Sequence, residues 1–200
     1  HNMVVIRGIE HIRHEQLVYN ITTTILPIKV KNTSYAVPFF HEKQYFSPGE
    51  LEGLEKEECE PVKGQEHSLF QWKGINFVTY CCYELTSMKL RQTFQGKADI
   101  VFGVEWNRDI HYFGNIIHAL SREMYCYCVQ SNMSKYGDSR IVQPTSEVCS
   151  NIIRVKGGDN AAVLVGKVNI EKLRKNRVER NKKEKFKPLP AGWYELDKWD

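Results

Sequence analysis

Cys82 closes the apolar run Ile75-Asn76-Phe77-Val78-Thr79-Tyr80-Cys81-Cys82 and is followed at once by Tyr83-Glu84-Leu85. A thiol where a strand turns toward a helix can be exposed, oriented and activated as a nucleophile. The same placement also suits a core thiol, because free cysteine is among the most buried side chains. Upstream, Lys43-Gln44-Tyr45-Phe46-Ser47-Pro48-Gly49-Glu50 puts a lysine, an aromatic pair, a proline and a glutamate in what reads as a loop. Attack on a carbonyl or nitrile carbon needs a nucleophile, a proton acceptor and a cation for the developing negative charge, and Lys43 can be that cation. Taken without further context, Lys43 and Glu50 read as solvated surface charges.

The elements that must hold these residues are short strands alternating with a few helices. Residues 4–9 and 17–26 read as strands, the second rich in Val, Ile and Thr. Residues 68–72 and 75–82 read as a hairpin turned by Lys73-Gly74. The stretch 87–95 has helical composition, and 98–104 is an apolar strand. In 110–122, Phe113, Ile116, Ile117 and Leu120 fall on one helical face. Strands are expected over 124–129, 140–143, 151–155 and, after the Gly157-Gly158 turn, 161–168. This order points to an α/β layered domain in which sheet and helices share a core.

Composition sets further bounds. A chain of 200 residues, 42% hydrophobic and 26% charged, suits one sizeable globular core. No apolar stretch approaches the roughly 18 to 20 residues that span a bilayer, and no signal-peptide order opens the chain, so the expectation is a cytoplasmic protein without membrane contact. His1-Asn2-Met3 reads as a cloning remnant ahead of a chosen start. The six cysteines, Cys59, Cys81, Cys82, Cys126, Cys128 and Cys149, lack disulfide-framework spacing and fit a reducing compartment. Cys126 and Cys128 point the same way from a strand, but no second pair completes a metal site, and none is expected. His11 and His14 read as surface loop residues. The net charge of +4 is uneven. Segment 171–187 holds nine Lys or Arg against three Glu, which leaves the rest slightly acidic. That run reads as a solvated basic helix and tail, with nucleic acid or an acidic partner domain as the alternative.

Taken together, these residues resemble the carbon-nitrogen hydrolase, or nitrilase, superfamily over nearly all of 4–168. Cys82-Tyr83-Glu84 is similar to that family's strand-ending Cys, aromatic and acid. Lys43, Phe46, Pro48 and Glu50 look like its lysine motif about forty residues earlier. Glu105-Trp106-Asn107 follows a strand as a polar or Trp-containing segment does there. Leu120-Ser121-Arg122-Glu123, Gln130-Ser131-Asn132 and Gly137-Asp138-Ser139-Arg140-Ile141 with Pro144 look like its Arg-bearing helix, Asn-ended strand and Gly-Ser loop.

The resemblance implies an α-β-β-α sandwich, four-layered once dimerised, and a Glu, Lys, Cys triad without cofactor or metal. Cys82 attacks, Lys43 stabilises the tetrahedral intermediate, Glu50 is the auxiliary glutamate, and Tyr83, Glu105, Trp106 and Asn107 line the substrate site. The implied substrate is a small-molecule amide, carbamoyl compound or nitrile, and the implied assembly a homo-oligomer. Glu10 stands too near Lys43 to be the family's base, so the first strand and helix, with the base glutamate, are expected upstream, and the domain itself over 4–170 with a tail over 171–200. Apart from this, Val129-Gln130-Ser131-Asn132, Tyr136-Gly137-Asp138-Ser139-Arg140 and Phe186-Lys187-Pro188-Leu189-Pro190 resemble hydrolase-like domains attached to some bacterial reverse transcriptases. That resemblance implies a noncatalytic or regulatory domain whose parent carries a polymerase and contacts nucleic acid.

Overall fold

The computed structural model describes residues 2–146, 150–159, 161–179 and 186–193; Cys149, residues 180–185 and 194–200 of the tail, and the side chain of Glu10 lie outside the described residues. Two sheets form its centre. The first holds β1 (Val5–His14), β2 (Leu17–Val30) and β3 (Thr33–Glu42) as an antiparallel meander, with β4 (Glu60–Val62) parallel to the start of β2. Its turns carry positive φ at Glu15 and Lys31. Pro38 lies on β3, an edge strand, where a missing N–H breaks no ladder.

The second sheet runs β10-β9-β8-β7-β6-β5. Its middle is parallel: β6 (Ile75–Cys81), β7 (Ile100–Glu105) and β8 (Tyr127–Asn132). The expected hairpin joins β5 (Phe70–Trp72) to β6, with positive φ at both Lys73 and Gly74, as a tight primed turn requires. β9 (Ser139–Val142) and β10 (Asn151–Val155) add antiparallel strands.

The sheets pack face to face, with Leu26, Val4 and Ile6 meeting Phe77, Ile100 and Phe102. Gly8 permits the approach, since a Cβ there would stand 2.9 Å from Cγ1 of Val104. On the far side of the second sheet, α2 (Met88–Thr93) and α3 (Ile110–Glu123) cover a core of Val78, Val101, Ile117 and Leu120. The helical face read from sequence is therefore the buried one. α1 (Pro48–Lys56) packs Leu54 against Val18, Phe46 and Cys59. α4 (Ile170–Glu179) buries Leu173 beside Tyr125, Tyr127 and Trp193.

Several sequence expectations are corrected. His11 and His14 lie within β1, which together with β2 extends beyond the expected bounds. Glu50 stands in the first turn of α1 and not in a loop. Met124 and Tyr125 end α3 in a left-handed turn, so β8 begins at Tyr127. Residues 161–168 form no strand: Val163 and Val165 project outward, 90% and 82% exposed. The basic α4 is docked by Leu173 and Asn176 instead of being solvated all round.

Candidate active site at Cys82

The parallel strands β6 and β7 end side by side, with Cys81 paired to Val104. Cys82 and Glu105 therefore follow each other's neighbours at the same edge of the sheet. Cys82 is the first residue of a 3-10 turn over Cys82–Thr86 and has φ of 47°. A non-glycine residue in the left-handed region costs about 1 to 2 kcal/mol, so the turn must hold it there. The retaining group is Glu84, fully buried, whose carboxylate accepts the backbone N–H of Cys81 at 2.7 Å and that of Gln44 at 2.6 Å. One side chain thus ties the Cys82 turn to the residue after Lys43.

Two imidazoles complete this anchor. Nε2 of His41 lies 3.1 Å from both Glu84 oxygens, and Nε2 of His67 lies 3.2 Å from Oε2. Burial raises the Glu84 carboxyl, but the two histidines outweigh it and bring it down to about 2. The three ligand atoms lie within 4.8 Å of one another, a donor set that zinc accepts. Nδ1 of His67, however, is buried without a partner. A metal-bound imidazole carries its proton there and needs an acceptor for it, so two hydrogen bonds donated to Glu84 account better for the geometry.

Lys43 is almost wholly enclosed, and its Nζ donates to Oε1 and Oε2 of Glu50 at 2.5 and 2.7 Å. The main chain of Lys43 is pinned by its N–H on Asn20 O at 2.9 Å and by Gly64 N–H on its own O at 3.2 Å. Gly64 is required there, because a Cβ would meet Glu42 O at 2.0 Å. Glu50 closes a capping box with Ser47 and accepts from Asn20 Nδ2 at 3.2 Å. Burial pushes Glu50 upward, but the Lys43 charge and the Ser47 bonds more than offset it and lower its pKa. The Lys43–Glu50 pair is thus a fixed ion pair and not the solvated alternative.

Cys82 is half-buried, and burial pushes its thiol up to about 11. Lys43 and the backbone N–H of Trp106 pull it down, while Glu105 and Glu50 push it further up. The thiol therefore rests neutral at pH 7 and needs a proton acceptor to react. Cys81, buried behind it, is pushed to about 12. Cys126 and Cys128 face each other across 3.9 Å in the core, and the five described cysteines are free.

The β7 end differs from the expected substrate-lining segment in an informative way. Glu105 is buried and Asn107 nearly so, whereas Trp106 is 63% exposed. Tyr83 is partly buried and packs on the helix-side core. Oε2 of Glu105 accepts from Nε2 of Gln130 at 3.0 Å, while Oε1 is buried without a partner. Burial pushes this carboxyl up to about 7 against the opposing influence of Gln130, Asn107 and Arg140. Asn132 holds the segment by accepting Asn107 N–H and donating to the carbonyls of Asn107 and Gly137, at 2.8 to 2.9 Å. Arg122 is exposed on α3, away from this network.

Comparison with solved structures places this architecture. A CN-hydrolase superfamily protein from Xanthomonas campestris, solved with an arsenic adduct in its active site, superposes with a TM-score of 0.64 at 13% identity, covering 89% of this chain and 67% of that one. The fold is that of the nitrilase superfamily. An amidase mutant from Nesterenkonia sp., solved with acrylamide added at its active-site cysteine, gives 0.61 at 14% identity, covering 90% and 68%. Another mutant of that amidase, in complex with butyramide, gives 0.59 at 14%, covering 90% and 66%. The chain thus spans about two thirds of the length of these nitrilase-fold structures. No protein-family profile and no curated protein sequence matches it.

The sequence singles out Cys82, Lys43 and Glu50 as candidates, and the structure fixes Lys43 on Glu50 near Cys82; Glu84 has no role in that reading, nor do His41 and His67 beside it. A usable signal existed: Cys81 and Glu84 stand at N-cap and N3 spacing, the pattern by which a carboxylate reaches back to a backbone N–H. Nothing local connects the two histidines to that carboxylate.

Proposed function

We propose that the chain is a thiol-dependent hydrolase domain acting on a non-peptide carbon-nitrogen bond of a small-molecule amide, carbamoyl compound or nitrile. Cys82 attacks the carbon, Lys43 stabilises the negative charge that develops on its oxygen or nitrogen, and Glu50 holds Lys43 in place. The resemblance completes the triad with a glutamate that takes the thiol proton. The observation that carries the reading is a thiol in a held left-handed turn on which an enclosed lysine acts, itself fixed by a carboxylate. Amide ligands and cysteine adducts in the fold's solved members support the choice of bond.

The test is an acyl or alkyl adduct sought by intact mass after exposure to acrylamide or butyramide. The expected result is one adduct on Cys82 that is lost in Cys82→Ala. Equal labelling of Cys59 and Cys82, or turnover that survives Cys82→Ala, would instead favour a noncatalytic domain on the same fold.

A further inference from the structure

A carboxyl beside a neutral thiol, buried and with one oxygen unpartnered, is an unusual thing for a fold to keep. Oε1 of Glu105 is such a group. An orphaned buried acceptor is costly, more so when charged, so this oxygen calls for a proton or a ligand. The surroundings keep it there. Gly103 leaves the space for it, since a Cβ would stand 3.3 Å from Oε1 and 2.9 Å from Cδ1 of Leu85. Gln130 fixes the other oxygen, and Asn132 with the Met133 N–H fixes the backbone of the segment.

Position relative to Cys82 follows from the ladder. Cys81 pairs with Val104, so the next residues, Cys82 and Glu105, leave the adjacent strands together. The residue after Glu105, Trp106, turns its backbone N–H to the Cys82 sulfur, and the Glu105 charge acts on the thiol. The other charged groups acting there are Lys43 and Glu50, and these are committed to each other by the 2.5 and 2.7 Å bonds. Arg140 faces Glu105 from β9. Among the described residues, Glu105 is the carboxyl near the Cys82 thiol that is held by side-chain amides, Gln130 and Asn107, and not by a lysine.

We propose that Glu105 is a proton-transfer residue of the Cys82 centre, accepting the thiol proton on Oε1 as sulfur attacks. The S–H bond breaks as the S–C bond forms, and the proton resides on Glu105. When the C–N bond breaks, the same proton leaves with the amine. Water then adds to the thioester carbonyl, gives a proton to Glu105, and that proton returns to the departing Cys82 sulfur. The elevated pKa of the carboxyl, about 7, matches such a role at neutral pH. This inference rests on the hydrolase reading but assigns a proton acceptor within the chain itself.

The experiment uses the 200-residue chain with 4-nitrophenyl acetate as acyl donor and iodoacetamide as alkylating probe. Wild type is expected to release a burst of nitrophenolate whose rate rises through neutral pH, and Cys82→Ala none. Glu105→Gln should slow the burst by about a hundredfold or more. Iodoacetamide should label Cys82 in that variant at an equal or higher rate, because a charge that raises the thiol pKa has been removed. Glu105→Ala should recover part of the burst on addition of formate. A Glu105→Gln burst within threefold of wild type overturns the proposal, as do parallel losses of burst and alkylation, or no rescue by formate. Absence of a wild-type burst while Cys82 still alkylates overturns it too. A burst that survives in Cys82→Ala refutes the hydrolase reading instead.

Discussion

Lys43 does two things for one residue: its charge lowers the Cys82 thiol pKa, and its ammonium neutralises Glu50. Lys43→Met keeps the length of the stem and removes both. Cys82 then loses its main cationic partner, so its thiol pKa climbs and iodoacetamide labelling at pH 8 slows. Turnover should fall by about 10²- to 10³-fold, the range for loss of one group that stabilises transition-state charge. The sign of the stability change also follows. In wild type the depressed Glu50 pKa contributes stability that is present above 4.5 and is lost as pH falls through its lowered value. In Lys43→Met burial of Glu50 is opposed only by the Ser47 bonds, so much of that contribution disappears above pH 4.5. Urea midpoints at pH 4 and pH 8 check it: the difference between the two proteins should be larger at pH 8.

At the scale of elements, the site depends on four segments meeting, and Glu84 is where they meet. The end of β3 supplies His41, the segment after it supplies Gln44, the stretch before β5 supplies His67, and the 3-10 turn supplies the carboxylate. Glu84→Gln keeps the volume but replaces one acceptor oxygen by a donor facing buried N–H groups. With its folded pKa near 2 against 4.5 unfolded, Glu84 contributes roughly 3 kcal/mol at neutral pH, present above pH 4.5 and lost progressively between 4.5 and 2. Wild type should therefore lose stability steeply over that window while Glu84→Gln, destabilised throughout, changes little from this source. Thermal midpoints from pH 5 down to pH 2.5 measure it, and a wild-type slope unchanged in the variant would refute the assignment. Turnover should fall as well, since both Cys82 and Lys43 are placed through this carboxylate.

For the whole molecule, what the sequence revealed and what it hid divide along the range of the interactions. Cys82, Lys43 and Glu50 were singled out as candidates because the apolar run ending at Cys82 and the Lys43 to Glu50 segment resemble short family motifs, although the Ser-Pro-x-Glu helix start at Ser47 reads as a loop. β3 was not legible, because much of the edge strand is exposed and gives no alternation to read; Phe40 alone is 65% exposed. The fate of α4 was hidden for a related reason. Its composition is that of a solvated basic helix, yet Arg174 and Arg177 both bond Asp99, which is buried at the start of the β7 segment. Arg177 also donates to the carbonyls of Ala98 and Tyr125 at 2.6 and 2.8 Å. Part of the local positive charge is thus spent inward and is not free for an acidic partner. Asp99 in turn accepts the Asn76 N–H at 2.9 Å, so this ion cluster fastens α4 to the start of β6. Removing one partner of a buried pair leaves the other charge uncompensated, at a cost of about 3 to 5 kcal/mol. Arg177→Ala should therefore lower the urea midpoint markedly, whereas Lys175→Ala, on the exposed face and paired with Glu179 at 3.6 Å, should change stability by less than about 0.5 kcal/mol. Equal effects of the two substitutions would mean that α4 is held by Leu173 alone.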